Sequence, residues 1–246
     1  DLGEQVGNHR PALAARAAGP VPSLEAELGR IAAASGGTLG VKVLHLESGT
    51  TAGLNASSRF PMASVYKLPI AVVVLAKVDA GELTLAQEVE VRPGEHRRTA
   101  SRVDPFTPGK RYAVGTLLDD MLTASGNTAC DVLLRVLGGP GAVDAWLAAH
   151  GFPGIDVSLT ELQMAAVSSG VADRVKAGEC DHACLDAIVA REPKQKVEAA
   201  ERAFDSDPRN SAAPDDLARL VVALRKGELL SPASTAAVLD AMRRCA

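Results

Sequence analysis

The segment Phe60–Ile70 has the sequence FPMASVYKLPI and continues directly into the apolar stretch 71–76, AVVVLA. An extended segment here turns into a helix that is apolar on nearly all of its faces, and such a helix belongs in the middle of a core. The pattern predicts a helix from Ser64 to about Asp79, ending near Gly81. We therefore expect a serine that is held rigidly at the start of a buried helix.

Ser64 and Lys67 form the first candidate catalytic pair. Residues three apart lie on the same face of a helix, so Lys67 places its amine one turn from the Ser64 hydroxyl. The helix N-terminus adds unpaired N–H groups and a partial positive charge, which favour an alkoxide or a bound carbonyl oxygen. In the simpler interpretation Ser64 is only an N-cap and Lys67 a solvated side chain, because Ser-x-x-Lys alone occurs often by chance.

The composition limits the classes of function that remain open. The chain has 246 residues, of which 47% are hydrophobic, enough for one large domain or two closely packed lobes. The net charge is −4 and no long basic run occurs, so neither nucleic acid nor an anionic membrane is expected as a partner. No stretch approaches the ~20 apolar residues of a membrane span. We expect a soluble monomer that acts on a small molecule.

The four cysteines allow more than one interpretation. Cys130, Cys180, Cys184 and Cys245 permit three pairings if all are bridged, and their number neither requires nor excludes an oxidising compartment. The run CDHAC at 180–184 has the residue types of a zinc site. Three clustered ligands without a fourth nearby instead favour a local disulfide or free thiols.

The segments before Ser64 predict an arm, a helix and a hairpin. Residues 1–22 are rich in Ala, Gly and Pro, begin without methionine, and lack an apolar signal core, which indicates an N-terminal arm on a mature or trimmed chain. Ser23 caps a helix that ends before Gly36. Strands at 41–46 and 51–55 then form a hairpin. His45, within the first strand, is expected to be structural.

Ser125 and Asn127 form the second candidate cluster. Helical periodicity at 114–122, 128–137 and 140–150 predicts a helical lobe, and the sequence Ser125-Gly126-Asn127 interrupts it. Polar side chains between buried helices are costly unless they bond something, so both should face an occupied or wet cleft. Alternatively, the segment is only a helix break whose serine and asparagine cap the next helix.

Three motifs in order resemble those of the class A β-lactamases. They are Ser64-Val65-Tyr66-Lys67, Ser125-Gly126-Asn127 and Leu159-Thr160-Glu161.

The resemblance covers roughly residues 23–165 and 212–245 and implies an α+β fold, in which an all-helical lobe packs against an antiparallel sheet flanked by helices. It implies that 61–211 form the helical lobe, that 23–60 and 212–246 belong to the α/β lobe, and that the active site lies between them.

The resemblance also implies a role for each site residue. Ser64 would attack a lactam carbonyl and become an acyl ester, and Lys67 would relay or accept its proton. Ser125 would pass a proton to the departing nitrogen, and Asn127 would bind the substrate side-chain amide. Glu161 would orient the water that hydrolyses the ester. This chemistry needs no metal and no cofactor, and it implies a periplasmic or secreted protein.

Several positions depart from the family pattern. Gly126 replaces an aspartate, and Ala165 stands where the family usually has an asparagine that helps to hold the hydrolytic water. Leu159 and Ser158 replace the arginine and aspartate that usually brace the Ω loop. These changes make deacylation the step in question.

Two larger departures concern whole segments. Residues 164–210 form an apparent insertion, which we expect to be an enlarged lid beside the active site, with a helix near 185–189, a break at Pro193 and a charged helix after it. The family's Lys-Thr-Gly triad does not occur within the 246 residues. We therefore expect this sequence to be the N-terminal portion of a longer or nicked polypeptide.

Three functions follow from these observations. The first is a serine β-lactamase. The second is a D,D-peptidase or another acyl-serine hydrolase of the same fold, against which Glu161 argues. The third is a catalytically degenerate module that only binds a ligand, which Ala165 and the missing triad favour.

Overall fold

The computed structural model describes residues 23–98, 104–176 and 178–245, so the predicted arm at 1–22 lies outside the described residues. Ten α-helices occur in these ranges: α1 Leu24–Ser35, α2 Lys67–Asp79, α3 Val114–Thr123, α4 Asn127–Val136, α5 Pro140–Ala149, α6 Glu161–Ser168, α7 His182–Val189, α8 Lys194–Phe204, α9 Pro214–Arg225 and α10 Pro232–Arg244. The strands are β1 Val41–Leu44, β2 Thr51–Leu54, β3 Phe60–Pro61, β4 Glu88–Glu90, β5 Arg111–Ala113 and β6 Ser211–Ala212.

Helix α2 is the centre of the core, as its composition predicts. Every side chain from Ile70 to Leu75 is at most 1% exposed, and the helix packs against α3, α4, α5 and α10. Burial of each larger aliphatic side chain contributes roughly 1.5–3 kcal/mol. A single 3-10 turn, Ala63–Tyr66, precedes α2, so Ser64 lies in this turn rather than in the α-helix itself. The buried helix fixes the position of the turn.

Helices α3 and α4 pack closely against each other beside α2. Leu117 and Met121 of α3 and Leu133 and Leu134 of α4 are fully or almost fully buried. The break between these helices is one turn long and contains Ser125, whose φ of 55° is left-handed. This conformation reverses the chain direction quickly and keeps residues 125–127 close to the start of α2.

The described strands form three two-stranded antiparallel pieces, β1–β2, β3–β6 and β4–β5. The predicted hairpin is confirmed in β1–β2, with Val41 opposite Leu54. The prediction for His45 is wrong in one respect, because β1 ends at Leu44 and His45 lies exposed in the turn. Its Nδ1 is 2.8 Å from Ser48 Oγ, a local contact that satisfies the ring outside the sheet. Together with the helices, these strands make an α+β fold.

The insertion contains α7 and α8 in the order that the sequence predicts, with the break at Pro193. A disulfide joins Cys180 to Cys184, and Asp181 between them caps α7 by accepting a hydrogen bond from the Cys184 N–H. This pairing is one of the two alternatives favoured from the sequence. Cys130 is a buried free thiol and Cys245 an exposed one.

Within the described ranges, no single helix is both long and apolar enough to cross a membrane; α4 and α5 meet that criterion only together, across a bend of 69°.

Candidate active site

Ser64 is exposed to solvent in the 3-10 turn that leads into the buried helix α2. Ala63 has a φ of 45°, a left-handed conformation that is uncommon for a residue with a side chain. The turn is anchored on its N-terminal side, where β3 pairs with β6 and the Met62 N–H donates to the Asn210 carbonyl at 2.9 Å. On its other side it continues into buried α2. Both anchors hold the serine in a fixed position.

Lys67 is the centre of the cluster. It is 2% exposed, and five oxygens surround its Nζ. They are Ser64 Oγ at 3.3 Å, Ser125 O at 2.9 Å, Ser125 Oγ at 3.1 Å, Asn127 Oδ1 at 2.6 Å and Glu161 Oε1 at 3.0 Å. An ammonium has only three protons, so these oxygens compete for them. The amine can therefore exchange a proton between neighbours without moving.

Ser125 completes a path of short contacts to the predicted nucleophile. Its hydroxyl donates to Ser64 Oγ at 2.8 Å, and its left-handed backbone aims the side chain at that oxygen. Asn127, at the first turn of α4, accepts from Lys67 and donates from Nδ2 to the Arg98 carbonyl at 2.9 Å. Both side chains of the helix break thus bond the Lys67 cluster, and no side chain caps α4. That they face a substrate cleft stays a prediction.

Glu161 reaches the cluster from the start of α6. Thr160 caps this helix in a capping box with Gln163, so Glu161 is the first helical residue. Its side chain is 14% exposed, and Oε1 contacts both Lys67 Nζ at 3.0 Å and the Tyr66 hydroxyl, which donates at 3.1 Å. The five residues that the sequence singles out, Ser64, Lys67, Ser125, Asn127 and Glu161, therefore lie together around one amine.

The structure adds buried groups that the sequence did not indicate. The Tyr66 hydroxyl lies 3.0 Å from Cys130 Sγ. Burial raises the pKa of Tyr66 and of the Cys130 thiol well above their usual values, so both stay neutral and Tyr66 acts as a donor. Asp131 accepts from the Glu161 N–H at 2.7 Å and pairs with Arg97 at 2.8 Å.

The pKa of Asp131 is raised to about 6, chiefly because the carboxyl is buried. The Arg97 charge opposes that increase, and the neighbouring Glu161 charge adds to it.

Asn210 braces the segment before Glu161, where the sequence lacks the family's usual pair. Its Oδ1 accepts from the Ser158 and Leu159 N–H groups at 2.9 and 2.8 Å, and its Nδ2 donates to the Leu159 carbonyl at 2.9 Å. It is 1% exposed. Because its own carbonyl holds Met62, Asn210 connects the Glu161 segment to the turn that carries Ser64.

Comparison with known proteins identifies the family. The model of the β-lactamase enzyme family matches residues 23–245, and the chain belongs to this family. One curated relative from Pseudomonas aeruginosa is β-lactamase VEB-1, which is 31% identical over 58% of this chain and 48% of that protein. Another from the same organism is the extended-spectrum β-lactamase PER-1, which is 32% identical over 59% of this chain and 48% of that protein. The chain thus spans about half the length of these relatives.

Solved structures agree with the fold. A class A β-lactamase described as ancestral is 27% identical, with a TM-score of 0.67 over 88% of this chain and 69% of that one. A β-lactamase from Chitinophaga pinensis DSM 2588 is 25% identical, with a TM-score of 0.68 over 89% and 69%. The chain therefore has the α+β fold of the class A β-lactamases.

Proposed function

We propose that this protein is a serine β-lactamase that hydrolyses the amide of penicillin- and cephalosporin-type antibiotics through an acyl-serine intermediate. The observation that supports it best is the position of the Lys67 amine, which contacts Ser64, Ser125 and Glu161 at once. One buried amine therefore connects a nucleophile, a donor to a leaving group and a base. This geometry favours hydrolysis over the D,D-peptidase and the ligand-binding module.

Acylation uses the Ser64 side of the cluster. Lys67 enters this step as the free amine, after its extra proton passes to Glu161 at 3.0 Å or to solvent, and it takes the Ser64 proton as Ser64 Oγ attacks the lactam carbonyl. A proton held by Glu161 returns to Lys67 before the ester is hydrolysed. The carbon–nitrogen bond then breaks, and Ser125 gives its hydroxyl proton to the departing nitrogen. Ser125 regains a proton from Lys67 at 3.1 Å. The Ser64 N–H, at the start of the 3-10 turn, supplies an oxyanion donor.

Deacylation uses the Glu161 side. A water molecule attacks the ester carbonyl and gives a proton to Glu161, and the ester bond breaks with the proton returning to Ser64 Oγ through Lys67. Asn127 holds the substrate side-chain amide while both steps proceed. Ala165 lies one turn after Glu161 on α6 and has no polar side-chain atom, so positioning of the water rests on Glu161 and the substrate.

The test is hydrolysis of nitrocefin by the purified chain. We expect turnover that Ser64→Ala abolishes, because no other nucleophile in the cluster replaces its oxygen. The matched control is Ser206→Ala, an exposed serine after α8 that should leave the rate unchanged. A wild-type protein that neither hydrolyses nitrocefin nor forms an adduct with penicillin would refute the proposal.

Two further properties belong to this proposal. The Cys180–Cys184 disulfide supports a periplasmic or secreted location, since disulfides persist in oxidising compartments. The protein acts as a monomer, with residues 61–211 forming the helical wall of the cleft and 23–60 with 212–246 the opposite lobe. Sedimentation velocity at micromolar concentration tests the monomer.

A further inference from the structure

Arg97 is a buried arginine that lies outside the cluster around Lys67. It is 6% exposed, and its guanidinium uses all three nitrogens. Nε donates to Asp131 at 2.8 Å, Nη2 to the Gly94 carbonyl at 2.7 Å, and Nη1 to the carbonyls of Cys180 at 3.0 Å and His96 at 3.1 Å. The planar fork of an arginine suits such a junction better than any other cation.

Asp131 connects Arg97 to the start of α6. Its Oδ2 accepts from Arg97 and, at 3.4 Å, from the Leu162 N–H, while its Oδ1 accepts from the Glu161 N–H at 2.7 Å. The first N–H groups of a helix have no partner within the helix, so this carboxylate fixes the helix end in place. The position of the Glu161 side chain depends on that backbone.

We propose that Arg97 is a positioning residue for the hydrolytic step, acting through Asp131 to couple the disulfide-bonded segment 178–184 to Glu161. Within the described residues the polar contacts of Arg97 include neither Ser64 nor Lys67 nor Glu161, so it would act only through Asp131. This inference rests on the proposed function, because it assigns Glu161 to hydrolysis of the acyl ester.

The insertion is packed tightly onto the loop that carries Arg97. Gly94 lies so close to the Gly178 carbonyl that a Cβ would overlap it. The His182 N–H donates to the His96 carbonyl at 3.0 Å, and the two imidazole rings meet edge to face at 4.9 Å. A shift of segment 178–184 therefore displaces the carbonyl of Cys180 that holds Arg97.

The charges around Asp131 make the coupling depend on pH. Arg97 faces it from the preceding loop, Glu161 from α6, Tyr66 from the 3-10 turn and Cys130 from its own helix. Arg97 and Asp131 line a cavity of about 480 Å³, and the Arg135–Glu95 ion pair lines that cavity as well. Protonation of Asp131 removes its charge opposite Arg97, so deacylation should slow as the pH falls through about 6.

Removal of the Arg97 charge should move that acid limb to higher pH. Arg97→Met takes away the group that lowers the Asp131 pKa, so the carboxyl takes up its proton at a higher pH than in the wild type. Misplacement of a catalytic group by about 1 Å slows a reaction on the order of 100-fold. We expect deacylation at pH 7 to fall roughly 10- to 100-fold and acylation to change much less.

The experiment measures acylation and deacylation separately, by rapid-quench mass spectrometry with benzylpenicillin from pH 5 to 9. The variants are Arg97→Met, Arg97→Lys, which keeps the charge without the fork, and Asp131→Asn, which removes the titrating group and should abolish its contribution to the acid limb. The matched control is Arg244→Met, an exposed arginine that pairs with Asp119 and Asp240 and not with any residue of the Lys67 cluster.

The outcomes separate this inference from the proposed function. Arg97→Lys should deacylate faster than Arg97→Met. Mild reduction of the Cys180–Cys184 disulfide should slow deacylation in the wild type, but it should not change the rate of a Cys180→Ser/Cys184→Ser double variant. Equal slowing of both steps without a shift of the acid limb, or no effect of reduction, overturns the coupling while the proposed function stands. A wild-type protein that penicillin does not acylate overturns both.

Discussion

Replacement of Glu161 by glutamine removes a charge from the cluster while keeping the shape of the side chain. In the wild type Glu161 Oε1 accepts from Lys67 and from Tyr66, at 3.0 and 3.1 Å. The glutamine oxygen can still accept these bonds, but it neither carries the counter-charge of Lys67 nor takes a proton from water. Glu161→Gln therefore removes both the charge and the basicity of this residue, and the stability and the kinetics of the variant report these two losses separately.

The expected loss of stability follows from the burial of Lys67. Removing one partner of a buried ion pair costs about 3–5 kcal/mol when the other charge is left without compensation. Lys67 is 2% exposed but keeps Ser125 and Asn127 as oxygen partners. We therefore expect a smaller decrease in the free energy of unfolding, about 2 kcal/mol, measured by urea denaturation.

The kinetic effect should be larger and confined to one step. A positioned general base contributes about 10²- to 10⁴-fold, equivalent to about 3–5 kcal/mol of barrier. Without its carboxylate partner Lys67 gives up its extra proton to solvent more readily, and the free amine stays 3.3 Å from Ser64. The amine can therefore take the Ser64 proton, so the acyl ester still forms and then persists. Intact-mass spectrometry after mixing with benzylpenicillin should show nearly complete conversion to a species heavier by one penicillin, with turnover lost.

A matched control accompanies this measurement. Glu198→Gln changes a partly exposed carboxylate on α8 that is paired with Lys194, and it should alter neither turnover nor the adduct. Wild-type turnover in Glu161→Gln would remove Glu161 from the mechanism. Loss of turnover without any adduct would show that the carboxylate is essential for acylation, and would contradict its assignment to hydrolysis of the acyl ester.

Three further predictions concern the scaffold. Leu133→Ala, at a fully buried position of α4, should lower the free energy of unfolding by about 3 kcal/mol in urea denaturation, and a loss below about 1 kcal/mol would contradict its place in the core. Gly94→Ala should accelerate thermolysin cleavage of the insertion, because the new Cβ overlaps the Gly178 carbonyl. Gly141→Ala on α5 is the control, because the space around its Cβ is open. Equal cleavage rates for the two variants would refute this packing. The pKa of Asp131 is about 6 in the folded state and near 3.8 in the unfolded state, so the folded state binds the proton more tightly. Protonated Asp131 therefore stabilises the fold at low pH, and this stabilisation is lost as the pH rises from about 4 to about 6. The free energy of unfolding of the wild type should therefore fall relative to that of Asp131→Asn by about 3 kcal/mol from pH 3 to pH 7, and parallel curves would contradict the raised pKa.

The parts of the fold that follow local rules were predictable from the sequence. Helical spacing places Lys67 over Ser64, alternation and a turn give the β1–β2 hairpin, and the periodicity around Pro193 gives the two helices of the insertion. The apolar run to Leu46 predicts a strand that includes His45, but β1 ends at Leu44 and the His45 ring contacts Ser48 in the turn that follows.

The supports of the site were not predictable, because they join remote segments. Arg97 and Asp131 are 34 residues apart, and the Asn210 side chain and the Leu159 backbone 51. Nothing in the local sequence around either residue distinguishes a buried partner from a solvated one. Strands β3 and β6 have two residues each, too few to show an alternating pattern. The sequence therefore indicates the chemical groups, while the surrounding network required the structure.

The role of Ala165 stays a prediction. The structure supplies Asn210 as a brace for the segment before Glu161, which compensates for the missing arginine and aspartate at 158–159. It offers no polar atom at position 165 to hold a water molecule. Deacylation therefore remains the step most sensitive to the position of Glu161.

The most direct test of the account is the site of covalent modification by penicillin. The protein is quenched in acid within milliseconds of mixing with benzylpenicillin, digested, and mapped by tandem mass spectrometry. We expect a single penicilloyl ester on Ser64, which decays in the wild type and persists in Glu161→Gln. An adduct on Ser125 or on a lysine, or an unmodified Ser64 at saturating penicillin, would contradict it.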